Sequence, residues 1–436
     1  MKNNNANDKV RNAAAPGSTR RSVRVLVWTL SVASLLMLVI VLLQNRTSPA
    51  LHGKQAVATQ EEAVGRLTTQ PQTGPRHDVA IPPVPQAQRI YQQPEPTPGM
   101  RQLVNSLVAV DFGSAALTEE QALAWRTNLL MLIQQGAEAV PAISEFLAKN
   151  MDFTFSANER TMLGYSSLRS VMLDALAQIG GPVAVNAMSQ VLQTAADPRE
   201  IAVLGQYLEK LDPTVHREEI FNAAREALGM AAGGGLPNRD VAPLFEVMQQ
   251  FGGAGAVADL EHRAEQWNYY AMIALGGLPD QAGIPSLAQI AGSQEGFNPG
   301  AKIAALGMLA EAVSQSQDAR DALVDLVRQN KLSASQWAAL TPMLAGNRMV
   351  FHDSAFENLL ATVSPADVKS VNMPASNQLI ATAPLGAMTI EQIDQRKAFL
   401  DDLLAATSDP TAVQALQRAK DLLAQRLFQI AGAAGK

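Results

Sequence analysis

The sequence predicts an all-α protein in which a transmembrane helix and a linker precede an irregular α-solenoid of stacked helical hairpins. Three observations predict it. Residues 25–43 form an uncharged apolar run, and residues 44–99 are rich in Pro and Gln. From residue 100 to residue 436, apolar residues recur at helical spacing, and no strand-length stretch alternates apolar with polar residues.

Residues 25–43 read VLVWTLSVASLLMLVIVLL. As a helix these residues cover about 28 Å, close to the hydrocarbon thickness of a bilayer. A cleavable signal peptide shows the same order of basic and then apolar residues, but its apolar region is shorter. The nearest small-residue cleavage pattern, Ala56-Val57-Ala58, lies about fifteen residues beyond the run. We therefore predict an uncleaved signal-anchor, with the signal peptide as the alternative.

The charge distribution predicts the orientation of this helix. Residues 1–24 carry six Lys or Arg and one Asp, so they form a basic tail that stays in the cytoplasm. Beyond the span, 28 basic and 39 acidic residues leave a net charge of −11, which argues against nucleic acid as a partner. The predicted location is the inner membrane, single-pass, with the C-terminal part in the periplasm or otherwise exported.

The linker over residues 44–99 contains too few large apolar residues to offset the entropy of ordering it. Its prolines predict a disordered but extended spacer that holds the folded part away from the bilayer. The alternative is that Pro82-Pro83-Val84-Pro85 docks into a partner. The chain has no cysteine, which excludes disulfides and thiolate metal sites.

Four segments repeat one pattern, in which a helix ends at glycine and a second helix presents apolar residues at i, i+3 and i+6 or i+7. These second helices start near Val140, Val185, Val257 and Ile284. Glycine suits the end of a helix because it tolerates the left-handed backbone of a C-cap. A single hairpin cannot bury both apolar stripes, so the hairpins are expected to stack.

The segments GAEAVPAI at residues 136–143 and PDQAGIPSL at residues 279–287 resemble the turn and second-helix start of HEAT-like (armadillo-type) repeats. Residues 181–188 and 253–260 are similar but weaker copies. The resemblance covers residues 120–330. The spacings of 45, 72 and 27 residues are irregular, and the Asp-then-Arg ladder typical of the family is absent, so no functional residue is transferred. The resemblance implies a concave surface that binds another protein, although a minority of relatives have enzymatic or ligand-binding roles.

The C-terminal region departs from this pattern. Residues 361–388 lack a helical stripe and are predicted to form an irregular crossing or surface loop. Two helices over residues 389–432 then close the chain as a helical cap. A free hairpin that serves as a docking element is the alternative.

No pattern in the sequence predicts a catalytic residue, a metal site or a cofactor. The five histidines are scattered, and none lies in a metal-binding motif. Residues 253–258, GAGAVA, fit a G-x-G-x-x-A dinucleotide fingerprint, with Asp280 roughly twenty residues further on. That motif follows a buried strand, whereas residues 241–251 are predicted to be helical, so we interpret it as a repeat turn.

The best candidate for partner binding is the aromatic cluster Trp267, Tyr269 and Tyr270, because Trp and Tyr are enriched at binding hot spots. Packing of these rings in the core is the alternative. Trp125 and Trp337 are expected to pack between helices.

The leading functional hypothesis is a membrane-anchored, exported scaffold or adaptor that binds another envelope protein. The alternative is an enzyme or small-ligand binder whose polar residues converge in a groove, with candidate carboxylates at Glu145, Asp174, Glu246 and Glu261. The sequence leaves the identity of the partner and the oligomeric state open.

Overall fold

Helices dominate the part of the chain that the structure describes. The computed structural model describes residues 94–110, 117–236, 239–293, 295–351, 369–372, 379–384 and 388–434. The predicted basic tail, the membrane anchor and nearly all of the linker therefore lie outside the described residues. None of the described helices combines the length and the apolar character needed to cross a membrane.

Seventeen α-helices are described, in agreement with the predicted all-α class. In chain order they are α1 Pro98–Val108, α2 Glu119–Gln134, α3 Val140–Ala148, α4 Ala157–Leu163, α5 Leu168–Ile179, α6 Gly181–Leu192, α7 Pro198–Leu211, α8 Arg217–Ala232, α9 Ala242–Phe251, α10 Val257–Arg263, α11 Asn268–Gly276, α12 Ile284–Gly292, α13 Pro299–Ala312, α14 Gln317–Arg328, α15 Ala334–Leu344, α16 Ile390–Ala405 and α17 Pro410–Ala434.

Three of the four repeated turns have a positive-φ glycine, at Gly136, Gly180 and Gly253, whereas in the turn before Ile284 the positive φ values belong to Asp280 and Gln281. Short 3-10 turns at Gly136–Glu138, Gly253–Ala256 and Pro279–Gln281 each precede one of the predicted second helices. Gly136 and Gly253 adopt φ values of 59° and 50°, the left-handed conformation that glycine accepts without a Cβ clash. The turn at residues 253–256 follows α9, so the dinucleotide-like pattern lies in a turn between helices, as the sequence predicts.

The second helices bury the predicted apolar stripes. Ile143 and Phe146 in α3 and Leu287 and Ile290 in α12 are all less than 5% exposed. Proline lies in the first turn of both helices, where no backbone N–H is needed. These stripes belong to one apolar core that extends from α1 to α17.

The helices pack in a regular order along the chain. The odd-numbered helices from α5 to α17 each contact the next odd-numbered helix, and together they form one row. The even-numbered helices from α6 to α16 each pack against at least one sequence neighbour in that row, as α6 does with both α5 and α7. We call this set of odd-numbered helices the helical row.

A three-stranded antiparallel sheet interrupts the helical pattern after α15. Its strands are β1 Asn347–Phe351, β2 Lys369–Asn372 and β3 Leu379–Pro384, in the order β1-β3-β2. The register pairs Phe351 with Ile380 and Asn372 with Leu379. Both β2 and β3 fall within residues 361–388, where the sequence predicts an irregular crossing or loop, so residues 369–372 and 379–384 of that stretch form paired strands instead.

The two C-terminal helices form where they are predicted. Ile393 and Leu400 in α16 and Leu416 and Leu423 in α17 are fully buried. Two apolar residues near the starts of these helices are exposed, Ile390 at 54% and Val413 at 39%. The helix α16 packs on α14, and α17 packs on α15.

Candidate functional site

Two adjoining cavities lie beside the helical row. The larger has a volume of about 750 Å³ and is lined by α7, α9, the end of α11 and β1. The smaller, of about 520 Å³, is lined by residues near the ends of α11 and α13 and by α16. Gln249, Ile273, Gly277, Arg348 and Met349 line both cavities, so the two form one continuous depression, which we call the central groove.

The strand β1 forms one wall of the central groove. It packs against α11, α13 and α15. Four successive residues, Arg348 to Phe351, line the larger cavity. Successive side chains of a strand point to opposite faces of the sheet. If only one face of β1 met the cavity, every second residue would line it, whereas here consecutive residues do. The strand therefore meets the groove along its edge.

An ion pair lies where the two cavities join. Nε of Arg348 is 3.5 Å from Oε1 of Glu311, and the side chain of Glu311 is 21% exposed. Both Nε of Arg348 and Oε2 of Glu311 are buried, and neither has a hydrogen-bond partner among the described residues. Burial raises the pKa of the Glu311 carboxyl, while Arg348, Arg396 and the Met349 backbone N–H act in the opposite direction.

Arg396 of α16 fixes the floor of the smaller cavity. Arg396 is only 2% exposed. Its guanidinium donates hydrogen bonds to the backbone carbonyl oxygens of Ala310 at 3.1 Å, Glu311 at 3.2 Å and Met343 at 3.3 Å. These carbonyls lie in the last turns of α13 and α15, where backbone oxygens have no partner within the helix. The arginine therefore joins two helices of the row to the C-terminal helical cap.

Aromatic rings support the wall behind β1. The ring of Tyr270 is 5.5 Å from that of Phe351 and 5.7 Å from that of Phe245, between centroids. Trp267 contacts Phe245 edge-on at 5.9 Å. This cluster links α9 and α11 to β1 and so positions one wall of the groove.

The structure places two of the three predicted partner-binding residues in the core and leaves one partly exposed. The three residues are Trp267, Tyr269 and Tyr270. Trp267 is 5% exposed and Tyr270 is fully buried, which matches the core-packing alternative. Tyr269 is half-buried, and its partial burial raises the pKa of its hydroxyl. Of these three side chains, only that of Tyr269 is accessible enough to contact a partner. Trp125 and Trp337 are buried, as predicted.

The carboxylates of the enzymatic alternative occupy different environments. Glu145 pairs with Arg101 at 2.8 Å, and the hydrogen bond from Arg101 lowers the pKa of Glu145. Glu261 accepts a hydrogen bond from Ser286 at 2.5 Å. Neither residue lines the central groove.

The other two carboxylates are also separate. Asp174 accepts hydrogen bonds from the hydroxyls of Tyr165 at 2.7 Å and Tyr207 at 3.2 Å. Glu246 is 7% exposed and is the only one of the four that lines the groove. The structure thus does not bring the four groups together. Within the described residues, no three His, Cys, Asp or Glu side chains are grouped so that they could hold a metal ion.

Comparisons with protein families, curated proteins and solved structures found no match.

The sequence reasoning missed Glu311, Arg348 and Arg396. One signal was available for Glu311, which is the only charged residue among residues 303–312 of α13. A charge on an apolar helix face requires a partner when it is buried. No local pattern identifies Arg348 or Arg396, because their contacts come from distant parts of the chain.

Proposed function

We propose that this protein is a single-pass, membrane-anchored and exported helical-repeat scaffold or adaptor that binds another protein of the cell envelope through the central groove. Residues 25–43 anchor it in the membrane, and the linker over residues 44–99 holds the helical domain away from the bilayer.

The packing order of the helices supports the HEAT-like solenoid part of this proposal. Each helix of the helical row contacts the next, and each intervening helix packs on at least one of its chain neighbours. In solenoids each repeat contacts only its neighbours, and the extended surface that results serves for binding.

The observation that supports the proposal most directly is the composition and size of the central groove. The larger cavity opens to solvent and combines apolar residues such as Ile273 and Phe351 with polar ones such as Gln206 and Gln250. Such a mixed lining is typical of protein-binding surfaces, in which polar groups surround an apolar centre. Its walls come from four or more elements, so it suits a segment of a macromolecule.

Site-specific photo-crosslinking in intact cells tests the proposal. A benzoyl-phenylalanine at Gln250, an exposed position that lines the larger cavity, reports what lies in the groove. The full-length chain stays in its own membrane throughout. We expect one defined adduct, identified by mass spectrometry as the same envelope protein in independent repeats.

The matched control places the same residue at Gln329, an exposed position at the end of α14 that lines neither cavity. We expect no such adduct there. Adducts of the same pattern at both positions, or none at Gln250, would contradict a groove that binds a partner.

A further inference from the structure

Four arginines lie around the smaller cavity of the central groove. Arg348 of β1 and Arg396 of α16 line this cavity. Arg320 of α14 and Arg426 of α17 lie close enough for their positive charges to act on Arg396, whose pKa is lowered by burial and, in addition, by these two charges. Because residues 44–436 carry a net charge of −11, such a group of basic side chains is an exception in this part of the chain.

One carboxylate, that of Glu311, pairs with an arginine of the cavity lining. Its Oε1 is 3.5 Å from Nε of Arg348, and this is the only ion pair that Arg320, Arg348 or Arg396 forms within the described residues. Arg320 donates instead to the carbonyl oxygen of Val313, and Arg396 donates to carbonyl oxygens of α13 and α15. A helix end carries roughly half a negative charge, so these carbonyls offset only part of the arginine charge.

The guanidinium of Arg348 is the basic group that a ligand can reach where the two cavities join. Its side chain is 34% exposed and lines both cavities. Nε is buried beside Glu311, whereas Nη1 and Nη2 are not among the buried atoms and form no hydrogen bond with a described residue. A guanidinium has more than one edge that can bind a carboxylate. Glu311 therefore occupies one edge of Arg348 and leaves the terminal nitrogens open to the groove.

The larger cavity adds a second cation. Lys210 is exposed, lines this cavity and forms no hydrogen bond or ion pair within the described part of the chain. The acidic residues of the same lining are less available, because Glu209 accepts from Nε of Arg217 at 3.0 Å and Glu246 is 7% exposed. In the smaller cavity, the exposed carboxylate is that of Asp280. The charges that the groove offers to a ligand are therefore mainly positive.

We propose that the partner segment bound in the central groove presents an acidic side chain whose carboxylate binds Nη1 and Nη2 of Arg348. The planar guanidinium offers two parallel N–H groups to the two carboxylate oxygens, so the pair is bidentate. The other arginines around the cavity stabilise the incoming negative charge without contacting it. This proposal rests on the proposed function and specifies the chemistry of the partner, namely an Asp or Glu at the position that meets Arg348.

The test uses the full-length protein in detergent and a phage-displayed library of random linear peptides. The best binder is synthesised with each Asp or Glu replaced in turn by its amide, and its affinity is measured by fluorescence anisotropy. We expect one replacement to weaken binding about tenfold or more, because it removes a charge-assisted hydrogen-bonded pair, and the others to have little effect. Binding of the parent peptide should also weaken as the salt concentration rises.

A double-mutant cycle locates the carboxylate at Arg348. On the Arg348→Gln protein the same amide replacement should weaken binding by less than about twofold, because the group that it pairs with is gone. Arg328→Gln is the matched control, since this guanidinium is 64% exposed on α14 and pairs with nearby Asp325. On that variant the full loss should persist. Circular dichroism and thermal unfolding of each variant verify that it is folded.

A second variant covers the case in which Arg348→Gln does not fold. Arg348→Lys keeps a positive charge beside Glu311 but cannot form the bidentate pair, so the loss caused by the amide replacement should be smaller than on the parent protein. The amide series on the parent protein requires no variant at all and decides by itself whether a carboxylate is recognised.

Three results would overturn the proposal: no peptide selected, no loss of affinity from any amide replacement, or an equal loss on the parent and the Arg348→Gln protein. Inorganic phosphate serves as the small-anion probe. If phosphate raises the unfolding temperature of the parent but not of Arg348→Gln, and no acidic peptide binds, the site takes a small anion and the proposal of an acidic segment is wrong.

The proposed function fails separately. If Gln250 captures the envelope partner equally well before and after Arg348 is replaced by Gln, the adaptor function stands and the carboxylate site does not. If peptides show the dependence on one carboxylate and on Arg348 but Gln250 yields no adduct in cells, the reverse holds.

Discussion

Arg169 of α5 and Glu200 of α7 form a buried, bidentate ion pair. Nε of Arg169 donates to Oε2 of Glu200 at 2.5 Å, and Nη2 donates to Oε1 at 2.7 Å. Each side chain is 10% exposed. Nη1 of Arg169 also donates to the carbonyl oxygen of Leu147 at the end of α3, at 2.9 Å. One guanidinium thus joins α3 to α5 and α7, the first two helices of the helical row.

Replacement of Arg169 by Met should lower the free energy of unfolding by about 3–5 kcal/mol, because it leaves the Glu200 carboxylate buried without its partner. The double variant Arg169→Met with Glu200→Met should recover most of that loss, since no uncompensated charge remains. Denaturant unfolding of the full chain, analysed as a double-mutant cycle, measures the coupling.

The exposed pair of Arg328 and Asp325, with side chains 64% and 61% exposed, serves as the control for this cycle. Arg328→Met should change the free energy of unfolding by less than about 1 kcal/mol, because water screens the pair. A similar loss for Arg169→Met and Arg328→Met would show that the buried pair does not stabilise the row.

Trp267 should contribute to stability rather than directly to binding. Its ring packs against Phe245 in the cluster behind β1, so Trp267→Ala is expected to lower the free energy of unfolding by about 3–5 kcal/mol. Tyr269→Ala, at the half-buried neighbour, should lower it by only about 1–2 kcal/mol. Thermal and denaturant unfolding measure both. If Trp267→Ala left stability unchanged and abolished partner capture, the original hot-spot interpretation would be right.

The contrast between Trp267 and Glu311 shows what the sequence could predict. Helices, their glycine turns and the buried stripes of α3 and α12 follow from local spacing, and the structure has them where the spacing indicates. The aromatic cluster was recognised by composition, but composition does not distinguish a ring in the core from a ring on the surface. Only the packing of α9 against α11 and of β1 against α11 decides it.

The groove itself could not be predicted, because its elements come together through distant contacts. Phe351 pairs with Ile380, and Arg396 reaches back to Ala310. No local periodicity encodes either contact. The position of β1 in the wall of the groove depends on its pairing with β3, from which 27 intervening residues separate it, so the sequence pattern does not indicate it.

Two glycines in the turn after α9 should respond differently to alanine. A Cβ at Gly252 would lie 2.5 Å from the Cβ of Ala256 and 2.7 Å from the carbonyl oxygen of Met248, whereas a Cβ at Gly255 would meet nothing within 4 Å. Gly252→Ala should therefore lower the free energy of unfolding by about 1–3 kcal/mol through overpacking. Gly255→Ala should be neutral or stabilise by up to about 1 kcal/mol, because it restricts the unfolded chain.

Thermal unfolding of the two variants compares them directly, and each serves as the other's control. The pair also bears on the dinucleotide-like pattern. Gly255 belongs to that pattern and Gly252 does not. If only Gly252→Ala lowers stability, the glycine that the fold requires is the one at the helix end, outside the dinucleotide-like pattern. Equal losses at both positions would contradict the predicted difference in space.

The hydroxyl of Tyr207 should make stability sensitive to alkaline pH. Burial, together with the negative charge of Asp174, raises its pKa from 10.0 to about 12. The folded protein therefore holds this proton more tightly than the unfolded chain does. Stability from this group is complete below pH 10, where both states are protonated, and is lost as the pH rises from 10 through about 12.

Tyr207→Phe tests this directly, because phenylalanine keeps the ring and removes the proton. Its free energy of unfolding should fall less steeply with pH over that window than that of the parent protein. Some decline should persist, since burial and Asp174 also raise the pKa of Tyr165. Asp174→Asn should lower the pKa of both hydroxyls, because it removes the negative charge that opposes their ionisation. The ultraviolet absorbance of tyrosinate, recorded as a function of pH, measures both pKa values. Identical alkaline slopes for Tyr207→Phe and the parent would exclude Tyr207 as the group that titrates.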